Sequence, residues 1–157
     1  MTVFVDMDGV LADFDTGYKR AFGVETSKED DNVDWELVRN DPDFFYNLPP
    51  MPDMWQLWAY VGRYSPMILT GIPKRLPEQA RENKERWKTR YLTRHVPLIA
   101  CQSAEKSLFC KPGDILIDDW TKYKHLWEEK GGIFITHTSA LDTIHQMEKI
   151  YWDERND

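Results

Sequence analysis

The chain has 157 residues, 41% hydrophobic and 13% aromatic, enough for one domain with a real core and room for a small insert. A formal charge of −7 and a pI near 5.1 exclude a general nucleic-acid binder, which carries a basic face. An anionic ligand fits that balance only where positive charge is concentrated locally, by a metal ion, a lysine or backbone N–H groups.

Residues 2–5 are apolar and β-prone and end abruptly in acids, the pattern of a buried strand that opens on a polar site. The apolar spacing from Val10 to Phe22 predicts a helix. Residues 24–48 are polar, aromatic and irregular and read as a small, helical insert. Its acidic run Glu29-Asp30-Asp31 reads as a solvated loop or helix start. Met54 to Tyr64 has helical period, with Trp55, Leu57, Trp58 and Val61 on an apolar face. A second strand runs from Pro66 into Thr70-Gly71, and Lys74 and Arg75 after it read as an exposed loop, with reach to a phosphate as the alternative. Pro77 to Tyr91 predicts a charged helix with Pro77 in its first turn, and Lys84, Arg86, Lys88 and Arg90 read as its solvated face. Strands follow at 96–100, 115–117 and 133–135. Helices are expected from Tyr123 to Lys130, stopped by Gly131-Gly132, and from Ala140 to Tyr151.

Strands alternating with helices predict an α/β fold: a Rossmann-like, mostly parallel sheet with helices on both faces. Ligands of such sheets lie beyond the carboxyl ends of the strands. Three expected strands end there in distinctive residues: Asp6 and Asp8, then Thr70, then Asp118 and Asp119.

In Asp6-Met7-Asp8-Gly9 two carboxylates follow a strand, and Gly9 permits a tight turn. One carboxylate can attack phosphorus while the other acts as acid and base. An EF-hand loop is excluded, because Gly9 is the fourth residue rather than the sixth and no glutamate closes the loop at Gly17. Thr70 and the N–H groups near Gly71 can bind phosphate oxygens. Asp118 and Asp119, adjacent after an apolar strand, are costly to bring together without a cation, and Mg²⁺ suits such a set. Lys106 and Lys111 both qualify as a lysine that holds the nucleophile charged. The four histidines have no metal-ligand spacing with Cys101 and Cys110, which are expected as reduced thiols. The apolar run before Asp6 is too short for a signal peptide. No stretch approaches the roughly 20 apolar residues of a membrane span, so a soluble, cytoplasmic protein is expected.

Order and spacing of these four groups resemble the haloacid dehalogenase-like superfamily. Asp8 points to its phosphatase branch, because dehalogenase members lack an acid there. A closer resemblance is to the 5′(3′)-deoxyribonucleotidase family. It is carried by Asp6-Met-Asp8-Gly-Val-Leu-Ala-Asp-Phe14, Phe44-Phe45 before Leu48-Pro-x-Met-Pro, Leu69-Thr70-Gly71, the Glu85-Arg-Trp87 helix and Leu116-Ile-Asp118-Asp119. The resemblance implies a catalytic core of residues 1–14 and 49–157, with residues 15–48 as a small helical cap inserted after the first strand. It implies Asp6 as nucleophile, Asp8 as acid and base, and Thr70, Gly71 and Lys106 at the phosphate. Lys106 is favoured over Lys111 by its Glu-Lys-Ser context. Mg²⁺ would be held by Asp6, the Asp8 carbonyl, Asp118 and Asp119, and Phe14, Phe44 and Phe45 would stack a nucleobase. The implied substrate is a nucleoside monophosphate, with no polymeric nucleic acid or membrane as partner and a homodimer as the family's frequent state. A phosphatase of a sugar phosphate or other small metabolite, and a catalytically silent phosphate-binding module, stand as alternatives.

Overall fold

The computed structural model describes residues 1–26 and 32–156, so the acidic run at 29–31 lies outside the described residues. Five strands form one parallel sheet: β1 (Val3–Val5), β2 (Met67–Gly71), β3 (Leu98–Cys101), β4 (Ile115–Asp118) and β5 (Ile133–Thr136). Their order is β3-β2-β1-β4-β5. The chain leaves β1 for one edge through β2 and β3, then crosses to the other side of β1 for β4 and β5. That reversal opens a crevice at the carboxyl ends of β1 and β4. Val5 is in register with Ile68 and with Ile117, which brings Asp6, Thr70 and Asp118 to the same end of the sheet.

Side-chain alternation along the strands divides the core. Val3, Val5, Ile115 and Ile117 join the larger cluster, with α3 (Met54–Val61), α4 (Pro77–Tyr91) and α6 (Ala140–Asn156) contributing Leu57, Trp87 and Met147. Phe4, Leu69 and Leu116 point the other way and meet Trp127 of α5 (Lys124–Glu129). The Phe4 and Trp127 rings touch edge to face, centroids 5.5 Å apart. Both faces therefore carry helix, as the alternating pattern predicts, but unequally. No helix among the described residues is long and apolar enough to cross a membrane.

The helix expected from Val10 begins later, as α1 (Phe14–Phe22). Residues 7–12 instead close a turn in which the Leu11 and Ala12 N–H groups both donate to the Met7 carbonyl, at 2.8 and 2.9 Å. Asp13 then caps the helix by accepting from Thr16 N at 3.2 Å. Within the insert, α2 (Trp35–Asn40) is a short helix whose buried residue is Val38. Phe14, Tyr18 and Phe22 of α1 gather around Phe44, and this aromatic group belongs to the same cluster as the sheet. A 3₁₀ segment at Ser103–Phe109, which the sequence pattern does not announce, bridges β3 and β4.

Helix α4 fastens the insert to the core. Its Trp87 Nε1 donates to the Leu48 carbonyl at 2.8 Å. Its Asn83 accepts from Tyr46 N at 3.0 Å and donates to the Pro42 carbonyl at 3.2 Å. Trp87 is also fully buried. Trp87→Ala should therefore cost about 3–5 kcal/mol of stability. The check is a lowered urea midpoint with an unchanged denaturant slope.

Candidate active site

Asp6 is the first residue past β1 and Asp118 the last of β4. The Asp6 N–H donates to the Ile117 carbonyl at 2.9 Å, so the two carboxylates emerge side by side. Lys106, presented by the 3₁₀ segment and only 7% exposed, lies between them. Its Nζ is 3.0 Å from Asp6 Oδ1 and 2.9 Å from Asp118 Oδ2. Trp120 N donates to the other Asp118 oxygen at 3.0 Å. Lys111, the other sequence candidate, is exposed in the turn before β4, where its N–H binds Asp114.

Burial alone would depress the Lys106 ammonium, but Asp6 and Asp118 outweigh it and hold the group well above the ordinary lysine range. Burial would likewise raise the Asp118 carboxyl. Lys106 and the Trp120 N–H outweigh that and hold it below the ordinary carboxylate range.

A second lysine occupies the site, and here the sequence reading needs correction. Lys84 of α4 is not solvated; it is fully buried. Its Nζ donates to Asp8 Oδ2 at 2.9 Å, Thr70 Oγ1 at 2.8 Å and the Gly71 carbonyl at 2.8 Å. Lys88 is buried too, paired with Glu85 at 2.7 Å. Ala80, Asn83, Lys84, Trp87 and Lys88 form one inward stripe at helical spacing, so Lys84 faces the core by position despite its charge. Only Arg86 and Arg90 lie outside, with their guanidinium groups 4.0 and 5.6 Å from the Tyr46 ring centroid.

A cavity of about 580 Å³ opens beside these groups. Asp6, Asp8, Lys106, Asp118 and Gly71 are on its wall, whereas Thr70 lies behind it, fully buried against Lys84. Gly71 has a specific neighbour. A Cβ there would collide with Ser103 Oγ, so the glycine lets a hydroxyl from the 3₁₀ segment approach the wall. Of the three phenylalanines expected to stack a base, only Phe45 lines the cavity. Phe14 and Phe44 are each 2% exposed and are spent on packing in the aromatic group, with centroids 5.4 Å apart. Trp35, whose sequence context reads as core or surface, and Trp120 and Tyr123, which carry no sequence signal, supply further aromatic wall, and Arg39, Lys74 and Arg75 add cations.

The donor set fits a hard divalent ion. Ligand oxygens of Asp6, Asp118 and Asp119 lie within 4.8 Å of one another. Carboxylate oxygens without sulfur or imidazole suit Mg²⁺. Gly9 makes room for Asp119: its φ is +85°, and a Cβ would run into the Asp119 carboxylate. The Asp8 carboxylate is outside this triad and on Lys84, which leaves the Asp8 carbonyl as the group expected to serve the metal. Four acids against two lysines leave a formal excess of negative charge that a divalent cation would balance.

The sequence matches no protein-family model and no curated protein. Solved structures do match. A hydrolase from Streptococcus pneumoniae TIGR4 superposes with a TM-score of 0.55 at 12% identity, over 94% of this chain and 97% of that one. The L-2-haloacid dehalogenase of Xanthobacter autotrophicus gives 0.52 at 12% identity, over 85% of this chain and 75% of that one. The same enzyme with chloropropionic acid covalently bound gives 0.51 at 11%. The likeness is one of fold. The Rossmann-like parallel sheet with helices on both faces, expected from the sequence, is the one present.

Removing Lys106 leaves two buried carboxylates uncompensated. In metal-free protein, Lys106→Met should cost about 3–5 kcal/mol near neutral pH. Asp118, held low in the folded wild type, contributes stability that is present above the usual carboxylate value of about 3.9 and lost as pH falls through its depressed pKa. Lys106, held high, contributes stability present below about 10.4 and lost as pH rises through its raised pKa. Without Lys106 the acids favour protonation, so the gap between variant and wild type should narrow as pH falls from about 7 to about 4.5. Urea denaturation in chelator at both pH values measures it; a constant gap counts against the ion pairing.

Proposed function

We propose that the chain is a Mg²⁺-dependent phosphatase that hydrolyses (deoxy)ribonucleoside monophosphates through an aspartyl-phosphate on Asp6. The observation that carries this reading is the pair of buried acids on one cavity wall, each with its own lysine: Asp6 with Lys106 and Asp8 with Lys84. A binding module has no need of two acids kept apart in this way.

In the first half-reaction an Asp6 carboxylate oxygen bonds to phosphorus. The bond from phosphorus to the ester oxygen breaks, and that oxygen takes the proton carried by Asp8. In the second, water attacks phosphorus and gives a proton to Asp8. The bond from phosphorus to Asp6 breaks, releasing phosphate and restoring the carboxylate. Lys106 keeps Asp6 ionised and aligned beside Asp118. Lys84 positions Asp8 by anchoring it to Thr70 and the Gly71 carbonyl. Lys106 and Ser103 Oγ, both on the cavity wall, receive phosphate oxygens. Bound by Asp6, Asp118 and Asp119, Mg²⁺ supplies charge neutralisation for the phosphoryl group.

The cavity is far larger than a phosphate group and within the range of drug-sized ligand sites, about 300–1,000 Å³. Trp35 and Phe45 from one segment and Trp120 and Tyr123 from another give it flat aromatic surface, which suits a nucleobase. The resemblance of the motifs to the 5′(3′)-deoxyribonucleotidase family supports the same substrate class, with residues 15–48 as the cap that supplies Trp35 and Phe45.

Asp6→Asn should abolish turnover and leave no phosphate covalently attached by intact-mass spectrometry; full activity in that variant would remove Asp6 as nucleophile. Asp8→Asn should lose about 10²–10⁴ in kcat while still binding substrate. Chelation should stop hydrolysis and added Mg²⁺ restore it. A panel of nucleoside and sugar monophosphates reads the substrate class, and indifference to the base assigns the enzyme to sugar phosphates or other metabolites. Lys84→Met, which unseats Asp8 without touching Asp6, should lower kcat far more than it changes KM. An equal change in both would make Lys84 a substrate ligand rather than a positioning residue.

A further inference from the structure

Three cations on the cavity wall have no part in the chemistry above. Arg39 comes from α2, and Lys74 and Arg75 from the segment between β2 and α4. Arg39 is half-buried and the other two are exposed, so they stand at the solvent side of the cavity, away from the buried Asp6, Asp8 and Lys106. Elsewhere on the surface Lys19 pairs with Glu25, Arg81 with Glu78 and Arg86 with Asp43. Arg39, Lys74 and Arg75 make no ion pair with any described residue. In a chain of net charge −7, three cations on the wall of one cavity concentrate positive charge at that opening. The reacting end already has Lys84 and Lys106, so these cations exceed what one phosphate needs.

Two further features bear on their placement. Trp35 and Arg39 are four residues apart on α2 and both reach the cavity, so an aromatic face and a guanidinium stand side by side there. Leu76, immediately after Arg75, has φ +52° although it is not glycine, and its side chain is 51% exposed. Leu76 is the N-cap of α4, directly before Pro77, and the turn there sets the direction of the segment that carries Lys74 and Arg75.

We infer that Arg39, Lys74 and Arg75 form a second phosphate subsite at the cavity mouth, and that the substrate is a nucleoside bisphosphate, cleaved at the phosphate beside Asp6 and held by the other. The assignment of the cleaved phosphate rests on the phosphatase reading. Arginine forks suit a phosphate dianion, and Trp35 places an aromatic surface for the base next to one of them.

The test compares deoxynucleoside 3′,5′-bisphosphates with the 5′-monophosphates of the same four bases, with Mg²⁺ and near 0.15 M salt to suppress long-range attraction. Binding to Asp6→Asn protein is read by tryptophan fluorescence, and hydrolysis by wild type is read as phosphate release. The bisphosphate of the preferred base should bind about tenfold tighter than its monophosphate, the equivalent of roughly 1.4 kcal/mol. Adding Arg39→Ala and Arg75→Ala should bring the ratio to within about twofold, while Arg20→Ala, which removes an exposed cation outside the cavity, should leave it near tenfold. Equal binding of the two ligand classes, or a preference that survives loss of both arginines, overturns the subsite. Hydrolysis without the binding preference leaves the phosphatase and removes the subsite. The binding preference without any hydrolysis does the reverse.

Discussion

The Lys106 ammonium, buried between Asp6 and Asp118, is the interaction on which the site depends. Two carboxylates at the ends of neighbouring central strands repel each other, and their burial weakens the screening that solvent gives. With Nζ within 3.0 Å of both, the repulsion becomes a bridge across β1 and β4. The pairing register of those strands then has a chemical meaning: a slip would turn one acid to the opposite face and break the bridge. A second buried lysine, Lys84, takes the remaining acid of the first motif. Asp6 and Asp8 are two residues apart in the chain yet belong to different ionic partners.

Helix α4 couples the two halves of the molecule. One face of it carries Lys84 to Asp8, and the same face carries Asn83 and Trp87 to the backbone of residues 42–48. Phe45 sits in that stretch, with the Lys84 ammonium 4.8 Å from its ring centroid. The aromatic wall and the Asp8 carboxylate are thus held by adjacent residues of one helix.

Much of this was legible in the sequence, for identifiable reasons. The strands were readable because apolar, β-prone runs stop at acids or glycine, and the sheet brings those stops to one edge. Asp6, Asp8, Asp118 and Asp119 announced themselves through that pattern. Lys106 stood out only by resemblance, since the segment presenting it has no hydrophobic period. Lys84 stayed hidden because three of the five inward residues of α4 are polar, and a stripe such as Asn83, Lys84 and Lys88 looks solvated until its partners are known. Phe14, Phe44 and Phe45 were indistinguishable as aromatic residues near a motif; only packing shows that two are enclosed and one faces the cavity. Arg39, Trp120 and Tyr123 carry no local signal at all, because their role comes from where distant segments meet.

The reacting acids and the selecting wall are built on very different foundations. Asp6 and Asp118 extend from β1 and β4, the paired interior of the sheet, whereas Arg39 and Trp35 stand on a six-residue helix with one buried anchor, Val38. Substitutions on that small helix change the cavity wall while leaving Asp6, Asp118 and Lys106 in place. New ligand preferences can therefore be acquired by drift in the insert, with the sheet inherited unchanged.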